Sequence, residues 1–571
     1  MGILDYSIIT GYLVGLVTIS VFLAKRAAAG SEAYFLGARS MPWWALGASG
    51  MSSNLDAAGT MTILTLLYTY GLHGFFIEMR GGVVLPIAVF MAFMGKWHRR
   101  SEVVTTAEWM RLRFGAGAQG KAARFMAAFT YLVITVAMVV FFLAAAGKFL
   151  AVFLPFDATT CAVAMALVAL LYTMVSGLYG VVWTDVFQAF LIGAAAVYVS
   201  VQAWLLVDGS LLASWPGAAF NTVLPQVHDP GLAPYELFWL FLVFWIGKGL
   251  LEGLGGSGGS AYMAQRFYAA RDEASCRKIG MLWTVLFAFR WPMVLGFSII
   301  AIHLGIGQDD PERILPMVLQ SEFFPTGLRG LVVAAIFAAS MSTFDSTINA
   351  GASYVVKDII QPLAPGIRER GLVICGYLAS TGIVGLGLFL SLTFADSVLG
   401  VWTTIVIQLF PAFLVPFALR WFWDRFNGAG FTVGILGGFA AAILVSFLPG
   451  SLNEVETLAL VGGLSLLASL AGTFATRPVD EQVRGHFYRK VRPLGIWPRK
   501  WKAAYREEHR EDWIRLPVAV FWQILTFMLP MLAVLHQWGG LLLSALIWGL
   551  LFLYLLRGSA HESDANANLP S

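Results

Sequence analysis

The chain has 571 residues, of which 58% are hydrophobic and only 12% are charged, and its mean hydropathy is +0.75. Soluble domains carry roughly 25% charged residues, so this composition predicts a polytopic membrane protein and excludes a string of soluble domains. The net charge of +4 is small and gives no reason to expect a nucleic-acid partner. The three cysteines are scattered, which argues against a disulfide framework and a structural metal site.

Apolar segments of about 20 residues, the length that crosses a bilayer, recur fifteen times. The predicted spans are residues 5–24, 43–70, 74–97, 121–152, 158–176, 181–207, 234–262, 279–305, 326–356, 370–392, 396–421, 430–449, 457–475, 515–536 and 539–556. Asp5 precedes the first apolar run and no small-residue cleavage site follows it, so we expect a retained first span. The fifth and sixth spans are predicted to meet in a tight turn at Gly177–Gly180.

Lysine and arginine are concentrated in alternate loops, which predicts the orientation. The loops after the first, third, seventh and ninth spans are rich in them, and residues 477–515 carry eleven. Arg266 is assigned to the loop after the seventh span. Residues 208–232 carry none. Because cytoplasmic loops hold the excess of positive charge, we expect the N-terminus outside and the C-terminus in the cytoplasm. The basic segment is predicted to be a solvated amphipathic connector on the cytoplasmic membrane surface.

Two predicted spans contain residues that break helices. The second opens with GASGMSSNLDAAGT (Gly47–Thr60), and the seventh contains GLGGSGG (Gly253–Gly259). Transporters use such breaks to turn backbone carbonyls toward ligands, although small residues also allow close helix packing. The two spans lie five apart, as the first helices of two five-helix inverted repeats would. The predicted segments are 1–42 (leading helix and loop), 43–207 and 233–422 (repeats), 208–232 (extracellular loop), 423–476 (accessory helices), 477–514 (connector), 515–557 (C-terminal helix pair) and 558–571 (polar tail).

The ninth span contains the sequence AASMSTFDSTIN, residues 338–349, in which hydroxyl and carboxyl side chains are dense. On a helix, Ser342, Asp345 and Ser346 share one face. Oxygen ligands at this density suit a hard cation. The alternative is that the hydroxyls bond to helix carbonyls and mediate packing, but the carboxylate of Asp345 at membrane depth requires a partner.

Charged residues inside or at the edge of spans are functional-site candidates by default. They are Asp56, Glu78, Arg80, Asp185, Lys248, Glu252, Arg290 and Asp345. Lys248 and Glu252 are spaced to neutralise each other on one helix. Glu78 and Arg80 are too close in sequence to face each other, so each needs another partner. Arg290 is predicted to pair with an acid or to hold an anionic group of a solute. Eight charges beside broken helices indicate a transport pathway.

Five stretches, in chain order, resemble the sodium:solute symporter family. They are GASGMSSNLDAAGTM, TTAEWMRLRFG, SGLYGVVWTDVFQ, QRFYAARDEASCRKIG and AASMSTFDSTINAGASYVVKDI. The resemblance implies an all-α fold with a five-plus-five inverted-repeat (LeuT-type) core, one leading helix and four trailing helices. It also implies sodium-coupled import of a small polar organic solute across the plasma (inner) membrane, with sodium ions, the solute and the lipid bilayer as partners and no obligate protein partner.

The resemblance, carried over residue by residue, implies two ion sites. The main sodium site would consist of the carbonyl oxygens of Ser52, Leu55 and Ala339 and the side chains of Ser342 and Thr343. A possible second sodium site would use Asp185, Ser342, Asp345 and Ser346. The position of Asp345 is commonly a small residue in the family, and a carboxylate there suits either a sodium ion or a proton.

The implied solute site includes Asn54, Asp56, Glu78, Gly256 and Arg290. Glu78 corresponds to a substrate-binding glutamate of bacterial galactose carriers, which favours a sugar-like solute. Against this, a glutamine of those carriers stands where this chain has Gly59. Aromatic gate residues stand where it has Gly256 and Ser257, and their absence leaves more room for the ligand. Amino acids, carboxylates and sialic acids remain alternatives.

Three other functions were considered: a proton-coupled carrier, a sensor and a membrane enzyme. A proton-coupled carrier of this fold would titrate Asp345, Asp185 or Asp56. A sensor would need a signalling domain and a membrane enzyme would need a nucleophile or a metal cluster, and we expect neither.

Overall fold

The computed structural model describes residues 1–27, 41–103, 105–215, 228, 230–256, 262–307, 309–448 and 452–567. In this part of the chain the elements are helices, apart from one isolated bridge between Trp423 and Ile496. Helices α1 to α13 are Ile3–Ala27, Trp43–Ser52, Ala57–Tyr70, His73–Ile77, Val84–Val89, Gly95–Ser101, Trp109–Phe114, Ala118–Leu150, Ala158–Leu206, Gly209–Ala213, Phe238–Leu254, Met263–Tyr268 and Glu273–Phe287. Helices α14 to α26 are Arg290–His303, Ile314–Gln320, Leu328–Tyr354, Gln361–Leu363, Glu369–Phe394, Val398–Thr403, Pro411–Phe422, Gly428–Val445, Glu454–Phe474, Glu481–Val491, Arg499–Lys502, Arg506–Val534 and Trp538–Ala567.

Nine helices in the described ranges are long and apolar enough to cross a membrane, and two bent pairs would raise the number to eleven. The bent pairs are His73–Arg80 with Val84–Ser101, at 71°, and Val398–Leu409 with Pro411–Phe422, at 44°. The starts of α1 and α9, Ile3–Leu16 and Ala158–Leu170, are shorter apolar helical stretches outside this count. The structure therefore has the multi-pass membrane architecture that the composition predicts, while the count of fifteen spans stays a prediction.

The predicted turn at Gly177–Gly180 is wrong, because the backbone is helical throughout α9, from Ala158 to Leu206. Asp157 begins this helix and accepts a hydrogen bond from the backbone N–H of Thr160 at 3.3 Å. Because α9 continues past them to Leu206, Gly177 and Gly180 do not end the helix.

The break predicted in the second span lies between α2 and α3. Asp56 has an extended backbone (φ −145°, ψ 167°), and its Oδ1 accepts a hydrogen bond from the N–H of Gly59 at 2.6 Å, which caps α3. Asn54 Nδ2 donates to the Gly50 carbonyl at 2.9 Å. Two carbonyls of the break face other elements: the Asn54 carbonyl accepts from Arg290 and the Leu55 carbonyl from Thr343. The carbonyls of Ser52 and Asp56 accept local backbone hydrogen bonds.

The glycine run of the seventh span also ends a helix. Helix α11 stops at Leu254, and Gly256 takes a left-handed conformation (φ 71°), which favours glycine. Ser257 lies outside the described residues. Helix α12 begins at Met263 and carries the chain on to Tyr268.

The first helix holds the start of α16 in place. Asp5 is fully buried, and its Oδ1 accepts hydrogen bonds from the backbone N–H groups of Gly327 at 2.7 Å and Gly330 at 2.8 Å. A carboxylate at a helix N-terminus satisfies free N–H groups and interacts well with the helix dipole. The leading helix therefore positions the helix that carries the hydroxyl cluster.

The basic segment buries its apolar side against the protein, a contact that the predicted solvated amphipathic connector did not include, while Arg489 and Lys500 are exposed. Phe487 is fully buried and Trp497 is nearly so, and both rings cover the guanidinium of Arg113, at 5.4 Å and 5.0 Å. Arg113, predicted as a loop residue, donates to the carbonyls of Arg420 at 2.8 Å and Phe426 at 3.1 Å. Stacking and carbonyl contacts together draw this arginine and the connector inward.

Candidate ion and solute site

Helix α16 meets the break between α2 and α3 at Thr343. The Thr343 Oγ1 lies 3.3 Å from the carbonyl oxygen of Leu55 and 3.1 Å from that of Ala339. Neighbouring oxygen ligands of a hard cation lie roughly 3.4 Å apart when each is about 2.4 Å from the ion. Both distances fit a sodium site, and both are also hydrogen bonds that the Thr343 hydroxyl donates, the one to Ala339 being the bond to a helix carbonyl that the sequence left as the alternative. The sodium site at these residues stays a prediction.

The other two predicted ligands, Ser52 and Ser342, both contact Asp185. The predicted ligand atom of Ser52, its carbonyl oxygen, accepts a backbone hydrogen bond of its own turn at 3.3 Å, whereas its hydroxyl donates to the backbone carbonyl of Asp185 at 2.9 Å. The Ser342 hydroxyl donates to the Asp185 carboxylate. All three residues are fully buried. The structure thus connects the predicted main ion site directly to the predicted second site.

The second set of ligands lies where α2, α9 and α16 meet. The carboxylate of Asp185 accepts hydrogen bonds from the hydroxyls of Ser49 at 2.5 Å and Ser53 at 3.2 Å. The hydroxyls of Ser53 and Ser346 are 3.0 Å apart. The structure therefore brings Asp185 and Ser346 together through α2.

Arg266, on α12, stands in the middle of this set. Its Nη2 lies 2.7 Å from Ser346 Oγ, 2.8 Å from Ser53 Oγ, 3.1 Å from Ser49 Oγ and 3.5 Å from Asp185 Oδ2. The sequence-based assignment of Arg266 to a cytoplasmic loop is wrong, because the residue is 0% exposed. The need of the buried carboxylates for a cation was the one signal in the sequence that pointed to it.

Asp345 is fully buried on α16, one turn from Ser342. It interacts electrostatically with Arg266 and with Tyr12 of the leading helix. The hydroxyl of Tyr12 in turn accepts a hydrogen bond from Gln188 Nε2 at 2.9 Å. The carboxylate therefore lies within the electrostatic reach of a buried cation, as its depth in the membrane requires.

A cavity lies beside the break. Its polar lining residues are Asn54, Asp56, Glu78, Tyr262, Arg290 and Thr343, and its aromatic lining residues are Phe141, Trp402 and Phe410. Four of the five residues predicted to bind solute thus line one cavity. Thr343 belongs both to this lining and to the ion-site cluster, so the two sites share a side chain.

Arg290 is the cation of the cavity. Its Nη1 donates to the Asn54 carbonyl at 3.0 Å, and it attracts the buried carboxylates of Asp56 and Glu78. A Cβ at Gly59 would lie 2.4 Å from Arg290 Nη2. The guanidinium therefore uses the space at Gly59, the position at which the sugar carriers have a glutamine.

Tyr262 fixes the side chain of Asn54, since its hydroxyl donates to Asn54 Oδ1 at 3.0 Å. Gly256, the fifth predicted solute residue, does not join this group. Its carbonyl oxygen lies 2.8 Å from His98 Nε2, and a Cβ there would lie 2.7 Å from His98 Cε1 and 3.0 Å from Trp421 Nε1. The structure places Gly256 against these rings, outside the cavity lining.

The other charges predicted inside spans, Arg80, Lys248 and Glu252, belong to ion pairs. Lys248 pairs with Glu252 on α11, as their spacing predicted, and also donates to the Arg80 carbonyl. Arg80 pairs with Glu454 of α22, whose carboxylate also accepts from the Tyr235 hydroxyl at 2.9 Å. These charges neutralise one another and lie outside the cavity lining.

Comparisons with known proteins agree with this geometry. The sodium:solute symporter family model matches residues 34–438. The chain is 24% identical to the sodium/sialic acid symporter of Proteus mirabilis, with 76% of this chain and 83% of the relative covered. It is also 24% identical to the sodium/glucose cotransporter of Vibrio parahaemolyticus, with 80% and 87% covered.

The fold is similar to that of a solved structure. A Na+-coupled sialic acid symporter, in a substrate-bound outward-open state, superimposes with a TM-score of 0.68 at 21% identity, covering 84% of this chain and 99% of that one. The family match extends over most of the chain and includes every predicted ion and solute residue. The chain therefore belongs to the sodium:solute symporter family, whose members are sodium-coupled membrane transporters and not enzymes.

Proposed function

We propose that this protein imports a small, polar, sugar-like solute together with sodium across the plasma membrane. The proposal is carried by two consecutive carbonyls of the break that face different sites. The Asn54 carbonyl accepts a hydrogen bond from Arg290 in the cavity, and the Leu55 carbonyl contacts Thr343 of the proposed ion site. A ligand on either side therefore acts on the same piece of backbone.

The coupling follows from that shared backbone. Sodium bound among Leu55, Ala339 and Thr343 would hold the break against α16 and so fix Asn54 at the edge of the cavity. Each ligand then raises the affinity for the other by the same factor. Opening to the cytoplasm would separate Leu55 from Thr343 and release the ion. An inside-negative membrane potential adds a driving force for the inward movement of sodium, about 2.3 kcal/mol per charge per 100 mV.

The cavity chemistry favours a hydroxylated solute. Asn54, Asp56 and Glu78 offer acceptor oxygens for hydroxyl groups, and Phe141 and Trp402 offer apolar ring faces. Polar groups that fix orientation, set among aromatic walls, are typical of small-molecule sites. The sialic acid and glucose carriers among the relatives take solutes of this kind.

A solute that also carries a carboxylate is the second candidate, and Arg290 is the observation that favours it. A guanidinium forms paired hydrogen bonds with a carboxylate, and Arg290 Nε, although buried, has no hydrogen-bond partner among the residues that the structure describes. Asp56 and Glu78 already attract this cation, so an anionic solute has to compete with them. Because a neutral sugar does not have to compete with these carboxylates for Arg290, we propose a neutral sugar as the first candidate.

The arrangement of spans is proposed on the same basis. We place residues 43–207 and 233–422 as two inverted five-helix repeats of a LeuT-type core, within fifteen spans. The distribution of lysine and arginine supports an outside N-terminus and a cytoplasmic C-terminus.

A thermal-shift screen of the purified protein tests the function. Hexoses, sialic acids, amino acids and dicarboxylates are each added in NaCl and in KCl at equal ionic strength. A transported solute is expected to raise the melting temperature in sodium far more than in potassium. Equal stabilisation in both salts would overturn the sodium coupling, and a response confined to amino acids would overturn the sugar-like class.

A further inference from the structure

The glycine break that follows α11 is held by side chains from two other spans. The Gly255 carbonyl accepts hydrogen bonds from Arg420 Nη2 at 2.9 Å and from Trp421 Nε1 at 3.3 Å. The Gly256 carbonyl oxygen lies 2.8 Å from His98 Nε2. Carbonyls at the end of a helix need partners from outside that helix, and α6 and α20 supply them here.

Arg420 places a buried positive charge at this helix end. The side chain is fully buried, and its carbon Cζ lies 4.5 Å from the ring centre of Phe417 and 4.6 Å from that of Trp109. Among the described residues it forms no ion pair with a carboxylate, and the titratable side chains that act on it are Tyr131, Tyr268, Tyr354 and His98. The negative end of the α11 dipole and the ring faces therefore balance its charge.

Glycine is required for the close contact at position 256. The backbone of Gly256 is left-handed (φ 71°), and a Cβ there would lie 2.7 Å from His98 Cε1 and 3.0 Å from Trp421 Nε1. The sugar carriers have aromatic gate residues in this stretch of the chain. Here the break itself is bare, and the rings reach it from α6 and α20.

The contact lies toward the cytoplasm in the proposed orientation. The third, seventh and eleventh spans all run from the outside to the cytoplasm, and His98, Gly255 and Arg420 lie near their cytoplasmic ends. Tyr262, just before α12, lines the solute cavity. The chain is thus tied to α6 and α20 on the cytoplasmic side of the break and faces the cavity a few residues later.

We propose that Arg420, Trp421 and His98 form a cytoplasmic gate that closes on the carbonyls of the glycine break. The closed gate separates the cavity from the cytoplasm, and inward opening requires the Gly255 carbonyl to leave Arg420. This inference rests on the proposed transport function and adds to it the residues that control release of the solute into the cytoplasm.

Thiol labelling of a cysteine in the cavity tests the gate. Met138→Cys places the reporter in the cavity lining, and Cys375→Ser removes the one native cysteine that is not buried. A membrane-impermeant thiol reagent is added, in sodium without solute, to right-side-out or to inverted vesicles. We expect labelling from the outside and protection from the cytoplasmic side. Labelling of this protein from the cytoplasmic side at the same rate would contradict a closed gate. Protection from both sides would overturn the cavity as the transport path, and with it the proposed function.

Two gate variants, each with a matched control, are then labelled from the cytoplasmic side. Arg420→Gln removes the cation and Gly256→Ala places a Cβ against the neighbouring rings, so each should raise the labelling rate about 10-fold. Arg425→Gln, at an arginine that donates to the Thr476 carbonyl at 3.0 Å, and Gly247→Ala, where a Cβ would meet nothing within 4 Å, should keep the original rate. Thermal stabilisation by sodium identifies the folded variants, and Gly256→Ala carries the test if Arg420→Gln does not fold. Folded gate variants that remain protected would contradict the proposal.

Discussion

The hydroxyl oxygen of Thr343 lies 3.3 Å from the carbonyl oxygen of Leu55. This contact joins the hydroxyl-rich helix α16 to the break between α2 and α3. The same threonine lines the cavity that holds Asn54 and Arg290. The ion site and the solute cavity are therefore connected by one side chain and by two consecutive carbonyls, which is a short physical route for coupling.

Replacing Thr343 by alanine should weaken sodium binding. The change removes one oxygen ligand, and a lost interaction of about 1.5–3 kcal/mol corresponds to roughly a 10- to 100-fold higher sodium requirement. The measurement is the sodium concentration that gives half of the maximal thermal stabilisation, with potassium keeping the ionic strength constant. Thr347→Ala is the control, because Thr347 Oγ1 bonds to the Thr343 carbonyl at 2.7 Å within the same helix. If both variants kept the wild-type sodium requirement, the main ion site would be misplaced.

Replacing Arg290 by lysine should weaken solute binding with little effect on sodium binding in the absence of solute. Lysine keeps the charge but loses the planar fork that reaches the Asn54 carbonyl. We expect about a 10-fold weaker apparent affinity for the solute found in the thermal-shift screen. Arg329→Lys, at an arginine that donates to the Phe324 carbonyl, should leave that affinity unchanged. An unaltered affinity in Arg290→Lys would remove this residue from the solute site.

Replacing Glu454 by glutamine should destabilise the fold. The change leaves the charge of Arg80, whose side chain is 1% exposed, without its carboxylate partner. Breaking a buried ion pair costs about 3–5 kcal/mol, and the exposure of the Glu454 side chain, 14%, places the expected loss near the lower end. Thermal unfolding of the purified protein measures it. Glu456→Gln is the control, since Glu456 caps α22 at the surface and glutamine also caps. Equal melting temperatures for both variants would mean that the Arg80 pair adds little stability.

The sequence was informative where a local pattern conflicts with its surroundings. Glycines, serines and Asp56 inside an apolar segment predicted the break, and the hydroxyls around Thr343 predicted that this face of α16 meets it, because each would be unfavourable in an ordinary membrane helix. Sodium binding at this contact stays a prediction. Arg266 could not be placed in this way. Counting positive charges near the end of a span assigns it to a loop, whereas packing against Asp185, far away in the sequence, decides its position.

Close approaches between distant segments were equally hidden. The space at Gly59 is used by Arg290, and the space at Gly256 is used by His98. No local pattern links either glycine to its neighbour, so the sequence could show that a side chain was missing but not which group takes its place. The connector around Trp497 was misjudged for the same reason, because its buried contact with Arg113 depends on tertiary packing.

Uptake into proteoliposomes tests the central claim most directly. The protein is reconstituted, and uptake of the solute identified in the screen is followed with an inward sodium gradient, with a potassium gradient, and with a proton gradient in the absence of sodium. The account predicts accumulation driven by the sodium gradient and enhanced by an inside-negative potential. Accumulation driven by the proton gradient in the absence of sodium would contradict it.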